Sequence, residues 1–201
     1  MSAIGKVCTG FSKPYVAKYA ALNGAVTYSD GQLLARGVEV SIEPDSSDAN
    51  NFYADNIVAE TVAGQFNGGT ATLTVDGLLQ DAEQLIAGLN AAGTDGFINY
   101  DRNQNTPFVG LGFIVRYLSG GNTYYTPVIL TKAILNPQSL SAATQEDEID
   151  FQTQELQFAI SRDDTSNGTW KKVGGELASE SAAEAAIKTF FGITDTTSSN
   201  I

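Results

Sequence analysis

Residues 148–160 read EIDFQTQELQFAI, an apolar–polar alternation that changes phase partway along. Ile149, Phe151 and Thr153 share one face at period two. Leu156, Phe158 and Ile160 continue the alternation in the opposite register. Side chains on a strand alternate between faces, so one extra residue near Gln154–Glu155 accounts for the change, as a β-bulge or bend. Gln and Thr fill the other positions, and both faces are never apolar together. A strand with one wet face suits an antiparallel sheet that covers a core on one side and meets water or a partner on the other.

The same alternation recurs along the chain. Tyr15–Leu22, Asn23-Gly24 and Ala25–Tyr28 read as a hairpin with a tight turn. Val38, Val40 and Ile42 alternate with Glu39, Ser41 and Glu43, and Pro44 ends that strand. Residues 45–51 (DSSDANN) read as a polar loop, and 57–60 as a short extended piece. Ala71, Leu73 and Val75 alternate with Thr70, Thr72 and Thr74. Residues 107–118 and 123–135 form a long hairpin about the turn 119–122, with Gly110 and Gly112 facing away from Leu111 and Phe113. A short strand is expected over 170–173.

Two stretches change to helical period. Leu78, Leu79, Ala82, Leu85, Ile86 and Leu89 share one helix face, with a start at Asp76 or Gly77. Ser181 and Glu184 have capping-box spacing before a final helix with an Ala183, Ala186, Ile187, Phe190 face and a stop at Gly192. The expected fold is mainly β: an antiparallel β-sandwich or barrel-like subunit with one flanking helix and a short C-terminal helix. With neither internal repeat nor linker, 1–201 reads as one domain, with an N-terminal hairpin region over 1–36 and a flexible tail over 193–201.

Composition narrows the function. The chain has 201 residues and a net charge of −12, with 17% charged residues. An acidic chain repels phosphates and is poorly suited to gripping nucleic acid, though it can guide nucleic acid through a space. There is no histidine, the commonest general base and metal ligand, and the single cysteine, Cys8, allows no internal disulfide. No apolar run reaches membrane-spanning length, and the first residues lack the apolar core of a signal peptide. Neither a phosphate loop nor dinucleotide-binding glycine spacing is present. The acidic cluster Glu146, Asp147, Glu148, Asp150 reads as a solvated strand end, Asp163-Asp164 as turn chemistry, Trp170 as a packing residue, and Cys8 as a small apolar one. No catalytic, cofactor-binding or metal site is expected.

Two segments together resemble a known family. Phe52-Tyr53-Ala54-Asp55-Asn56 follows an acidic strand and loop and precedes a glycine turn and a Thr-rich strand. Gln152-Thr153-Gln154-Glu155-Leu156 is followed by a turn over 163–168, then Trp170-Lys171-Lys172 and a helix ending Phe190-Phe191. In order and spacing this resembles the major tail proteins of long-tailed bacteriophages, from about Val38 to Gly192. The resemblance implies a non-enzymatic tail tube subunit in the virion, assembled in the bacterial host cytoplasm. Six copies would form a ring, and stacked rings would form a tube around a lumen that conducts DNA. Its partners would be other copies, the tape measure protein and DNA in the lumen, and tail terminator and baseplate proteins, with no membrane and no cofactor.

On that footing Glu39, Ser41, Glu43, Asp150, Gln152 and Gln154 are candidates to face the lumen. Asp45, Asp48, Asn51, Phe52, Tyr53 and Asp55 are candidates to contact the neighbouring ring. The rival readings are a tube subunit of a contractile or bacteriocin-like particle, and a β-sandwich binding module. The latter calls for an exposed row of aromatics, for which Tyr124-Tyr125 and Phe52-Tyr53 are the candidates.

Overall fold

A computed structural model describes residues 5–48, 50–62, 64–91, 93–102, 104–139, 144 and 151–194. The strands are β1 (Val7–Leu22), β2 (Ala25–Leu33), β3 (Gly37–Ser46), β4 (Asn50–Ala54), β5 (Ile57–Val62), β6 (Phe66–Val75), β7 (Phe108–Ser119), β8 (Asn122–Leu135), β9 (Gln154–Ser161) and β10 (Lys171–Val173). Helix α1 (Gln80–Ala87) lies between β6 and β7, and α2 (Glu180–Phe191) follows β10. One eight-stranded sheet runs β2-β1-β7-β8-β9-β6-β3, with β10 also on β8; β4 and β5 pair only with each other. Every pairing is antiparallel. The protein is thus mainly antiparallel β with two helices. Among the described residues no helix is long and apolar enough to cross a membrane.

The centre of the sheet is apolar on both faces. Residues 109–114 of β7 and 126–131 of β8 are continuously buried, as expected of strands covered on both sides. Their inward residues Val109, Leu111, Phe113, Val128 and Leu130 join Val16, Leu73, Leu156 and Phe158 in the larger core. Each fully buried side chain of this size contributes about 1.5–3 kcal/mol. The sheet curls to enclose that core, bringing the start of β3 against β1: a Cβ on Gly37 would stand 2.2 Å from the Phe11 ring. Ala82 and Ile86 of α1 complete the inner core.

Helix α2 covers the outer face of β1, β7 and β8. Ala183, Ile187 and Phe191 pack on Tyr15, Ala17, Ile114 and Ile129. The two glycines of β7 let it approach. A Cβ on Gly110 would lie 2.6 Å from the Tyr28 ring, and one on Gly112 would lie 2.7 Å from both Ile187 and Phe191. Polar contacts pin the helix as well. The Glu184 carboxylate accepts from Tyr15 at 2.6 Å, pairs with Lys188 at 3.3 Å, and pairs with Lys13. Lys13 sits in the left-handed region (φ 51) at an irregularity of β1.

Several sequence expectations change. The bulge near Gln154–Glu155 is not there: β9 begins at Gln154 and pairs in unbroken register with β6, from Gln154↔Val75 to Ile160↔Gly69. The change of phase marks the start of the strand, and Phe151, ahead of it, is 88% exposed. Residues 145–150 lie outside the described residues. Pro44 does not end β3, which continues to Ser46 with Pro44 opposite Gly69. β3 is an edge strand, where a missing N–H costs no ladder bond. The polar loop is shorter than expected, because β4 begins at Asn50 and β4–β5 form a hairpin.

Helix α1 is also shorter, running only from Gln80 to Ala87 and ending at Gly88 (φ 67). The cap of α2 is Ser179, whose side chain accepts from Ala182 N–H; Glu184 serves the ion network instead of a capping box. Cys8 is exposed on β1 rather than packed as a small apolar residue. Two readings hold: Asp163 accepts from Thr165 and Thr169 within its turn, and Trp170 stacks on Phe66 at 4.3 Å.

Two outcomes test this packing. Gly112→Val forces Ile187 and Phe191 away from the sheet, and the expected loss is about 1–3 kcal/mol in urea denaturation; an unchanged midpoint would show that the close approach is dispensable. The second outcome concerns Glu184. Burial by itself raises its pKa, but hydrogen bonds from Lys13, Tyr15 and Lys188 prevail and hold it at about 2, below the ordinary 4.5. A folded pKa below the unfolded one gives stability that is complete above the unfolded value and lost as pH falls towards 2. Between about pH 6 and about pH 3 the wild type should therefore lose more stability than Glu184→Gln, and parallel losses would refute the linkage.

Candidate functional site

Beyond the reach of α2, the outer face of the sheet changes character. Strands β9, β6 and β3 turn Leu156, Phe158, Leu73 and Val75 inward, so the alternate residues must point outward. The register sets them in rows across three strands. Glu39 pairs with Thr74 and Thr74 with Glu155. Ser41 pairs with Thr72 and Thr72 with Gln157. Glu43 pairs with Thr70 and Thr70 with Ala159.

Glu39, Ser41, Glu43, Glu155 and Gln157 are exposed, and the three threonines between them are half-buried. Neighbouring strands lie about 4.7–4.9 Å apart, so Glu39 and Glu155 flank Thr74 at about 9–10 Å from one another. Gln157 donates to Glu155 at 2.9 Å.

The chemistry of this face is hydroxyl, amide and carboxylate. None of the 11 Lys and Arg of the chain falls within β3, β6 or β9, which carry Glu39, Glu43, Asp45 and Glu155. A polyanion brought to such a face meets fixed negative charge and no cation to hold it. Threonine suits the middle row, because its branched side chain fits the pleated surface while its hydroxyl stays wet.

The structure brings together only some of the lumen-facing candidates. Glu39, Ser41 and Glu43 do share the wet face. Gln154 belongs to the opposite side: it is half-buried opposite core residue Val75 and borders a cleft with Glu83, Tyr100 and Gln138. Gln152 is exposed ahead of β9, and Asp150 lies outside the described residues. The residues that complete the face are Thr70, Thr72, Thr74, Glu155 and Gln157. Their alternation with buried neighbours was visible in the sequence. Their partnership with Glu39, Ser41 and Glu43 was not, because it depends on which strands pair.

The inter-ring candidates are found along one extension of the β3–β6 ladder. Asp45 is exposed near the end of β3, opposite Gly68, and Asp48 follows the strand, also exposed. Ser47 N–H donates to Gln65 O at 2.9 Å, joining the ladder to the β4–β5 hairpin. Asn51 accepts from the Thr61 hydroxyl at 2.8 Å. For Phe52 and Tyr53 the backbone alone is described, opposite Glu60 and Val58. Asp55 and Asn56 form the tip, with φ 51 and 64, the positive pair required by a two-residue hairpin turn. Of the aromatics weighed for a binding module, Tyr125 packs against the α2 cluster.

Compared with models of known protein families and with curated proteins, the chain matches none.

If the absence of cations governs this face, charge reversal will reveal it. Glu39→Lys, Glu43→Lys and Glu155→Lys together should leave the circular dichroism spectrum unchanged yet create duplex DNA binding at low salt that fades as salt rises. A folded triple variant that still shifts no DNA in a gel would show that the face does not control the interaction.

Proposed function

We propose that this protein is a structural subunit of a bacteriophage tail tube, which self-associates into stacked, six-membered rings around a DNA-conducting lumen. The observation that carries the reading is the cation-free face of β3, β6 and β9. A conduit for DNA needs a wall that stays wetted and does not bind phosphate, and rows of Glu, Ser, Thr and Gln supply one.

The sheet has open edges at β2 and β3. Pairing such edges between copies removes an aggregation liability and closes a larger barrel. In this reading β3, β6 and β9 turn their wet face to the lumen, and α2 lies on the side away from it. The β4–β5 hairpin reaches the next ring. Other copies, a tape measure protein and DNA are the partners within the tube, with terminator and baseplate proteins at its ends, in the virion.

Negative-stain electron microscopy of concentrated protein tests this directly. Rings or tubes with a central hole are expected, and a monomer that persists under all conditions would count against the reading. Removing residues 50–62, with the chain rejoined across the paired Ser47 and Gln65, should leave rings but no stacks.

A further inference from the structure

The charge of this protein is segregated. Residues 37–101 hold eleven of its 23 Asp and Glu and none of its 11 Lys and Arg. That segment comprises β3, the β4–β5 hairpin, β6 and α1. Every cation therefore lies on the remainder, and several of those are already engaged: Lys13 and Lys188 with Glu184, Lys132 with Asp164, and Lys6 with Glu176.

The β10 strand presents cations differently. Lys171 and Lys172 are both exposed. Their ammonium groups lie over the rings of Trp170 at 4.7 Å and Phe190 at 5.2 Å, and among the described residues neither forms an ion pair with a carboxylate. The same strand exposes Val173 at 60%. It pairs with β8 on one side, and no described strand occupies the other. Lys172 and Phe190 also wall a cleft of about 580 Å³ opposite Gly24–Thr27. The strand thus offers a free edge with one lysine on each face, Lys171 on the side of Trp170 and Lys172 beside the apolar surface of Phe190.

The β4–β5 hairpin has the complementary properties. It pairs with no other strand, and none of its described side chains belongs to either core. A two-stranded hairpin on its own is marginally stable at best, so this one gains from a partner. Residues 47–65, which include it, carry Asp48, Asp55 and Glu60 and no Lys or Arg, and Ile57 beside its tip is 66% exposed.

We propose that the β4–β5 hairpin of one copy docks on the β10 edge of a second copy, its carboxylates meeting Lys171 and Lys172 and its tip entering the cleft beside Phe190. This rests on the tube reading and specifies the surface that the hairpin meets. The contact joins unlike patches, so it repeats head to tail and propagates a stack instead of closing a dimer. Complementary charge sets its register and its salt sensitivity.

The test is a charge swap, followed by sedimentation velocity and negative-stain microscopy, with circular dichroism confirming the fold. Lys171→Glu with Lys172→Glu should raise the concentration needed for stacking at least tenfold. Adding Asp48→Lys and Glu60→Lys to that variant should restore stacking. If reversed charges unfold the chain, Lys171→Gln with Lys172→Gln should give a smaller loss in the same direction. Normal stacking of the β10 variants, or no rescue by the swap, overturns this pairing while leaving the tube reading intact. A wild type that never assembles overturns both.

Discussion

The middle of β7 and β8, residues 109–114 and 126–131, is buried on both faces, and the rest of the structure answers that constraint. A strand pair of this kind cannot stand at a surface, so it needs two covers. The inner cover is the sheet itself, curled until β3 meets β1 and closed by Ala82 and Ile86 of α1. The outer cover is α2, seated where Gly110 and Gly112 leave no side chain in its way. Two cores form back to back on one sheet, sharing β1, β7 and β8 as their common wall.

A helix of 12 residues spans about 18 Å, and it cannot cover the whole outer face. The far strands solve the problem chemically. On β9, β6 and β3 the outward positions are Glu, Gln, Thr and Ser apart from Ala159, so that part of the sheet stays uncovered with little apolar surface. The change of cover along one sheet therefore produces a buried packing face and a wet, anionic face on a single element. In the proposed tube, the first supports the subunit and the second faces the DNA. The segregation of charge along the chain is consistent with this division, because two of the three wet strands, β3 and β6, and the hairpin fall in the segment without cations.

Much of this was legible locally. Period-two alternation located β3 and β6 because each has one face in the core and one in water. Asn23-Gly24 marked the first hairpin, and both residues adopt the positive φ that its turn requires (51 and 78). Gly192 stopped α2 in the left-handed region (φ 66). Other features misled for physical reasons. Pro44 looked like a terminator, but a proline on a sheet edge costs no ladder bond. The phase change around Gln154 looked like a bulge, but the strand begins only at Gln154, with Phe151, Gln152 and Thr153 ahead of it. Glu184 looked like half of a capping box, but Lys13 and Tyr15 across the interface and Lys188 on its own helix engage its carboxylate.

The sequence by itself determined which residues alternate, where turns form, the mainly β class, and a strongly acidic surface without histidine. These depend on near neighbours along the chain, and the chain states them directly. Only the tertiary structure decided that Glu39, Thr74 and Glu155 form one row, that β7 and β8 need covers on both faces, and that Lys13 reaches Glu184. Those partners are separated by tens of residues or more. Their meeting is set by strand order and register, which follow from burying the whole apolar surface at once and not from any single segment.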